Sequence, residues 1–120
     1  MFVDLSLSDD LPVVCNLDDK NVLLKIKKHL GNPSSLSSWD PDIDCVKWNG
    51  IHCDISIEGH VTVVRIEDAQ DIHGPIPSFF DQLPALKELY FVNIPNLFGP
   101  IPSYIGMLTN LTEFTISGTN

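Results

Sequence analysis

The stretch Gly74-Pro75-Ile76-Pro77 recurs 25 residues later as Gly99-Pro100-Ile101-Pro102, and the surrounding sequence recurs with it. Apolar residues keep the same spacing in both copies: Leu83 and Leu108, Leu86 and Leu111, Leu89 and Phe114, Phe91 and Ile116. Val61, Val64 and Ile66 hold the equivalent positions one period earlier. A fixed period in this range predicts a solenoid, in which each unit buries its apolar face only against its neighbours. Because solenoids bind partners on exposed curved surfaces, the sequence directs attention to a binding face before an active site.

Each repeat is predicted to contain one short strand. Leu89 and Phe91 alternate with Glu88, Tyr90 and Val92, so the first two point inward while the other three point outward. Stacked coils then form a parallel sheet with strands about 4.8 Å apart. Residues in equivalent outward positions then form ladders across a concave surface: Thr62, Lys87 and Thr112; Val63, Glu88 and Glu113; Arg65, Tyr90 and Thr115; Glu67, Val92 and Ser117. The Gly-Pro-Ile-Pro stretches turn the chain away, with each isoleucine pointing into the core. The following segments, PSFFDQL and PSYIGML, are predicted as short helical or 3-10 turns on the convex side.

The segment before the repeats begins with an amphipathic helix over residues 16–30. Its inward face is predicted to carry Val22, Leu23, Ile26 and Leu30. Asn16 is suited to cap the helix, and Gly31 is suited to the left-handed position that ends it. Trp39 and Trp48 follow, and we expect them to pack in the core rather than to stack on sugar rings.

Composition limits the classes of function. The 120 residues suffice for one modest domain, and 43% hydrophobic with 19% charged residues is typical of a folded protein. A formal charge of −9 argues against nucleic acid and anionic membrane surfaces as partners, because both require clustered Lys and Arg. No segment reaches the roughly 18 apolar residues needed to span a bilayer. Residues 1–14 contain no basic residue and are predicted to be a disordered leader remnant, not a convincing signal peptide.

The residues that could carry chemistry have simpler explanations. His52 and His60 lie near cysteines but match no zinc-ligand spacing, and we predict no metal or cofactor. The run Asp40 to Asp44 lacks the glycine and glutamate of a calcium loop. Glu88 and Glu113 would stack like the two carboxylates of a glycosidase, but an open sheet offers no water-excluding pocket. We therefore predict that the protein is not an enzyme.

The chain has three cysteines, so one disulfide would leave one cysteine as a free thiol. Loop-closure entropy gives about 3.7 kcal/mol for a Cys15–Cys45 bridge and about 2.6 kcal/mol for a Cys45–Cys53 bridge. That difference is too small to choose between the two pairings, and both stay open on the residues alone.

The repeats resemble the plant-specific leucine-rich repeat, LxxLxLxxNxLxGxIP, and Cys15 to Asp54 resembles the N-terminal cap that precedes such repeats. The cap sequence CNLDDKNVLLKIKKHLGNPSSLSSWDPDIDC, then Trp48, HCD and 25-residue early repeats, resembles the polygalacturonase-inhibiting proteins of plants. The resemblance implies an α/β fold, a right-handed solenoid with a helical cap and a short parallel sheet. The cap would span residues 15–58, and residues 59–120 would form two full repeats and the start of a third at Asn120.

The same resemblance implies a function and a site. Such proteins are secreted, reside in the plant cell wall and use the concave strand surface to block pectin-degrading enzymes in defence. The implied partner is a polygalacturonase or another secreted protein, and the expected contact residues are Lys87, Glu88, Tyr90, Val92, Glu113 and Thr115. Family alignment pairs Cys15 with Cys45 and leaves Cys53 as a free thiol, because Val46 stands where the family has a second adjacent cysteine.

Other interpretations of the chain stay open. It could be the N-terminal structural segment of a leucine-rich-repeat receptor-like ectodomain, or a shortened product without function. Asn110-Leu111-Thr112 is the only glycosylation sequon free of proline, so Asn110 is a predicted glycan site. The last coil would have no neighbour to cover its apolar residues, so we expect the isolated chain to be marginally stable, frayed after about Asn110, or self-associated through that end.

Overall fold

The computed structural model describes residues 14–119. Within them lie one α-helix and four strands: α1 (Leu17–His29), β1 (Ile51–Asp54), β2 (His60–Glu67), β3 (Glu88–Val92) and β4 (Glu113–Ser117). The prediction of a disordered leader over residues 1–14 lies, except for Val14, outside the described residues, as does the start of a third repeat at Asn120. Val14, which the sequence placed in the leader, donates its main-chain N–H to Asp44 Oδ2 across 2.8 Å.

The parallel sheet and its register are confirmed. The strand order is β1-β2-β3-β4, and β2, β3 and β4 run parallel. The predicted ladders are the observed partners across the sheet: Val63, Glu88 and Glu113; Arg65, Tyr90 and Thr115; Glu67, Val92 and Ser117. The register follows from the period, because one-residue slippage would turn every buried side chain toward solvent.

β1 is an element that the sequence analysis did not predict. It pairs antiparallel with β2, with a bulge between His52 and Cys53. The chain reverses at Glu58 and Gly59, which both have positive φ, 63° and 73°. One predicted ladder member is corrected by this hairpin: Thr62 is buried, not exposed on the concave surface, and its hydroxyl lies 3.4 Å from the carbonyl oxygen of His52.

α1 begins and ends close to the predicted residues. Asn16 caps it by accepting a hydrogen bond from the N–H of Asp19, and Gly31 follows with φ of 84°. Leu23 and Ile26 are fully buried as predicted. Asp19 is buried beside them, which the sequence did not indicate, and its Oδ2 accepts the main-chain N–H of Val61 across 2.8 Å. The helix is therefore tied to β2 by a buried carboxylate as well as by apolar contact.

The core runs continuously from the cap into the repeats. Trp39 and Trp48 are buried and stack with ring centroids 5.7 Å apart, in agreement with a core role. Farther along, Phe80, Phe91 and Phe114 form a chain of edge-to-face rings. These aromatic contacts join successive coils across the interior.

The convex side contains the predicted short turns, as 3-10 helices at Phe80–Gln82 and Ser103–Met107. The two Gly-Pro-Ile-Pro stretches differ, however. Ile76 is buried as predicted, whereas the prediction is wrong for Ile101, which is 57% exposed. The described part of the chain contains no following coil to cover Ile101. None of the helices in this part of the chain is long and apolar enough to cross a membrane.

Candidate partner-binding face

The outward side of β2, β3 and β4 brings the predicted contact residues together. We call it the strand face, and it is formed by Arg65, Glu67, Lys87, Glu88, Tyr90, Val92, Glu113 and Thr115. Parallel pairing places each residue beside its equivalent in the next coil, about 4.8 Å away. The strand face therefore consists of residues from the predicted ladders, in which equivalent residues of successive coils lie side by side.

Tyr90 lies at the centre of the strand face and contacts both neighbouring charges. Its hydroxyl donates a hydrogen bond to Glu88 Oε1 across 2.5 Å. The guanidinium carbon of Arg65 lies 4.7 Å from the centroid of the Tyr90 ring, within cation–π range. Arg65 Nε in turn donates to Glu67 Oε2 across 2.7 Å. These contacts fix the orientation of the aromatic ring before any partner binds, which lowers the entropy lost on binding.

The β4 end of the face is organised in the same way. The Thr115 hydroxyl donates to Glu113 Oε2 across 2.6 Å, so Glu113 and Thr115 repeat the contact that Glu88 makes with Tyr90 one coil earlier. Lys87 lies just before β3, and its main-chain carbonyl accepts the N–H of Thr112 across 2.7 Å. Its side chain is exposed.

Hydrogen bonds and charges on the strand face raise the pKa values of two of its residues, Tyr90 and Arg65. The hydrogen bond to Glu88, with desolvation and the nearby carboxylates, raises the pKa of Tyr90 above its ordinary value of 10.0. The hydrogen bond to Glu67 raises the pKa of Arg65. At neutral pH the face therefore presents a neutral phenol that donates a hydrogen bond, with the guanidinium over its ring. Carboxylates outnumber cations on it: Glu67, Glu88 and Glu113 against Arg65 and Lys87.

All six predicted contact residues lie on the strand face; that they bind a partner stays a prediction. Arg65 and Glu67 belong to the predicted ladders but not to the predicted contact set. The ladder itself could have predicted the contact between Arg65 and Tyr90, because a cation one coil before a tyrosine in the same ladder is positioned to lie over its ring. His52, considered from the sequence only as a zinc ligand, is exposed on β1, a strand that was not predicted.

Two asparagines of the loops join neighbouring coils. Asn110, the predicted glycan site, is exposed, and its side-chain amide donates to the carbonyl of Pro84 across 2.9 Å. Asn96 donates in the same manner to the carbonyl of Gln70 across 2.8 Å. Side-chain amides thus satisfy carbonyl groups of the preceding coil that no strand partner reaches.

The cap contains a cluster of three buried cysteines. Cys15 and Cys45 form a disulfide, and Cys53 is a free buried thiol, which is the pairing that the family resemblance implied. The Sγ atom of Cys53 lies 2.8 Å from that of Cys15. Burial raises the pKa of Cys53 to about 11, and the negative charges of Asp44 and Asp19 add to the increase.

Comparison with protein families and relatives agrees with this architecture. Residues 16–54 match the family described as "Leucine rich repeat N-terminal domain". The chain is 44% identical over 119 residues to polygalacturonase inhibitor 1 of Arabidopsis thaliana, covering 98% of this chain and 35% of that protein. It is 42% identical over 109 residues to polygalacturonase inhibitor 1 of Oryza sativa subsp. japonica, covering 90% of this chain and 32% of that one. The chain spans about a third of the length of these curated relatives.

Two solved structures share this fold. A plant ice-binding protein superposes with a TM-score of 0.81 at 39% identity, over 88% of this chain and 34% of that one. The ectodomain of the Arabidopsis receptor kinase HAESA, solved with a peptide hormone, superposes with a TM-score of 0.66 at 30% identity, over 84% of this chain and 16% of that one. The described residues therefore have the fold of a leucine-rich-repeat solenoid with an N-terminal cap, and the chain is similar over nearly its whole length to about a third of the length of polygalacturonase inhibitors.

Proposed function

We propose that this chain is an extracellular protein-binding module of the plant cell wall that acts in defence. It contacts a pectin-degrading polygalacturonase, or another secreted protein, through the strand face and occludes it without catalysis. The observation that carries the proposal is the ordered row of Arg65, Tyr90 and Thr115 with its carboxylates. Supporting it are the similarity to inhibitors named for polygalacturonase and the disulfide, a bond typical of secreted proteins.

The domain boundaries belong to the same proposal. Residues 15–58 form the cap and residues 59–120 the repeats, with the family match over residues 16–54 in support. Within the repeats, the strand face supplies a central aromatic anchor, Tyr90, surrounded by charged groups. Tyrosines of this kind, fixed and partly buried, are common at the energetic centre of interfaces. The excess of carboxylates favours a partner with a basic surface, and the attraction raises the association rate more than the affinity.

The test is inhibition and direct binding. The purified 120-residue chain is titrated against fungal polygalacturonases, with reducing-sugar release as the activity readout and biolayer interferometry as the binding readout. We expect Tyr90→Ala to weaken binding at least about tenfold. Association should slow as salt rises, because the steering charges are exposed.

A matched pair of variants tests whether association depends on the charge of the strand face or on the net charge of the whole chain. Glu113→Gln removes one charge from the strand face, whereas Asp81→Asn removes one from the convex 3-10 helix. Only the first variant should slow association. Absence of both inhibition and binding at high micromolar chain concentration would reject the proposed activity and leave the fold untouched.

We propose as the second candidate an N-terminal segment of a receptor-like ectodomain. The likeness to the HAESA ectodomain over most of this chain favours it. In that role the cap and first coils support later repeats instead of contacting the ligand. Transcripts that continue past Asn120 into more repeats and a membrane span would establish this candidate, and transcripts that stop there would exclude it.

Asn110 is proposed as a glycan site. Its side chain is exposed at the edge of the coil, and only one hydrogen bond, to Pro84, would be lost on modification. Expression in a plant secretory system should give a product whose mass falls on treatment with a glycosidase that removes N-glycans. The variant Asn110→Gln should have the lower mass without treatment. Untreated proteins whose masses differ only by the one methylene group that the substitution adds would reject the site.

Self-association of the 120-residue chain is proposed through its last coil. Ile76, Leu97 and Ile116 line an apolar groove there, and Phe98 and Ile101 are 63% and 57% exposed. A second copy of the chain would cover Phe98 and Ile101, whose apolar side chains otherwise contact water. Sedimentation velocity should show dimers that dissociate in Ile101→Ser. A monomer at high micromolar concentration would reject this contact.

A further inference from the structure

The disulfide of the cap has a third sulfur next to it. Cys15, Cys45 and Cys53 are all buried, and their Sγ atoms lie within 4.8 Å of one another. The free thiol of Cys53 is closest to Cys15, with 2.8 Å between the two Sγ atoms. Cys15 is thus in contact with its bonded partner on one 3-10 helix (Cys45–Lys47) and with a second sulfur on β1.

We propose that Cys45 and Cys53 compete for Cys15, so that the cap interconverts between a Cys15–Cys45 and a Cys15–Cys53 disulfide by internal exchange. The Cys53 thiol first loses its proton to solvent. Its thiolate attacks Cys15 Sγ, a bond forms between the sulfurs of Cys15 and Cys53, and the Cys15–Cys45 bond breaks. The electron pair leaves on Cys45 Sγ, which takes up a proton. One disulfide and one thiol are present before and after, so no external oxidant or reductant is required.

The surrounding contacts allow this exchange without unfolding. Asp44 Oδ2 accepts the N–H of Val14, and Asp44 Oδ1 accepts the N–H of Cys15 across 3.1 Å. These bonds hold the segment entering Cys15 against the residue next to Cys45, so Cys45 stays near when its covalent bond is broken. The sequence separations of the two bridges, 30 and 38 residues, are similar, and loop entropy therefore favours neither isomer strongly.

The charges around Cys53 limit the rate of the disulfide exchange. Asp44 faces it from the segment before the 3-10 helix, and Asp19 faces it from α1, where Asp19 is also 3.0 Å from His60 Nδ1 on β2. Because burial and these carboxylates hold the pKa of Cys53 near 11, little thiolate exists at neutral pH. Proximity offsets part of this, since groups held in contact react far faster than groups that must meet by diffusion. The exchange rate should rise roughly tenfold per pH unit between pH 7 and pH 9.

The first experiment uses the wild-type chain. It is held at neutral or alkaline pH, quenched in acid, unfolded and alkylated with N-ethylmaleimide, and then digested with trypsin. Cleavage after Lys47 separates Cys45 from Cys53, so mass spectrometry reads the label on each. We expect label to appear on Cys45 at the expense of Cys53, to reach a plateau, and to do so faster at higher pH. Label that stays on Cys53 alone after prolonged incubation at pH 9, or appears on Cys15, would overturn the proposal.

The second experiment compares two matched variants in one glutathione redox buffer. Cys53→Ala retains only the Cys15–Cys45 pair, and Cys45→Ala retains only the Cys15–Cys53 pair. Both should close their disulfide, with equilibrium constants within about a hundredfold of each other, and both should keep the circular dichroism of the wild type. Two free thiols in a folded Cys45→Ala, under conditions where Cys53→Ala is fully oxidised, would overturn the proposal. If Cys45→Ala does not fold, the wild-type label distribution decides.

Discussion

The hydroxyl of Tyr90 and the carboxylate of Glu88 lie on the same side of β3 and are joined by a 2.5 Å hydrogen bond. Because this bond stabilises the protonated phenol, it is the main reason that the pKa of Tyr90 is raised. Tyr104, the other tyrosine, has its pKa raised to about 12 by burial. We therefore expect less tyrosinate absorbance at pH 10 than two unperturbed tyrosines would give, and the variant Glu88→Gln should lower the titration midpoint of one tyrosine.

The absorbance titration is followed near 295 nm in wild type, in Glu88→Gln and in the control Glu58→Gln, whose side chain lies in the β1–β2 turn. The control should titrate like wild type. Indistinguishable curves for wild type and Glu88→Gln would mean that the strand face is not ordered by this bond in solution.

Asp44 is predicted to make stability pH-dependent. Burial opposes its charge, but the main-chain N–H groups of Val14, Val46 and Cys15 stabilise the carboxylate, so its pKa is lowered below 3.8. The stabilisation is present above the unfolded-state value and disappears as pH falls through the lower folded-state value. Asp44→Asn places an amide NH₂ group where an acceptor is needed and should cost about 2–3 kcal/mol at neutral pH.

Urea unfolding at several pH values measures this effect. The difference between wild type and Asp44→Asn should begin to shrink below about pH 4, where Asp44 of the unfolded chain takes up a proton, and should be lost as the pH falls through the lower folded-state pKa. Asp42→Asn changes an exposed carboxylate in the same loop and should have little effect. A difference that stays constant down to pH 2 would assign the loss to shape and not to charge.

Gly59 is predicted to be essential for steric reasons. It has φ of 73°, and a Cβ atom there would lie 1.9 Å from the carbonyl oxygen of Val14. Gly74 also has a positive φ, 95°, but no atom lies within 4 Å of the position that a Cβ atom would take. Alanine at either site costs about 1–2 kcal/mol for the left-handed backbone. Gly59→Ala should cost at least about 2 kcal/mol more than Gly74→Ala, because Val14 must move.

Thermal and urea unfolding of the two glycine variants test the comparison directly. Equal losses of stability would show that the contact between the start of β2 and Val14 is not tight in solution.

Phe80 should be the more costly of two phenylalanines to remove. It is fully buried and meets Phe91 edge to face with ring centroids 5.8 Å apart. Phe80→Ala should reduce the free energy of unfolding by about 3–5 kcal/mol, since both apolar burial and packing are lost. Phe98 is 63% exposed, and Phe98→Ala should change it by less than about 1 kcal/mol. A similar loss for both would contradict the described core.

Periodicity was sufficient to predict most of this fold. The 25-residue repeat specified which residues pair across the sheet, and the same alignment placed Glu88, Tyr90 and Glu113 on one face. What it could not predict were features that occur only once. β1 has four residues, and its pairing depends on the turn at Gly59 and not on any repeated pattern. The burial of Asp19 could not be predicted, because its partner, the N–H of Val61, is 42 residues away.

The antiparallel pairing of β1 leaves only the β4 edge of the sheet suited to a further parallel strand. At one margin the chain has folded back on itself with a short, bulged strand, which is a poor template for a further parallel coil. At the other margin, β4 presents an unbulged edge with the same spacing as the strands before it. Any added coil, whether natural or engineered, would therefore join beyond β4 and lengthen the strand face without disturbing the disulfide-bonded cap.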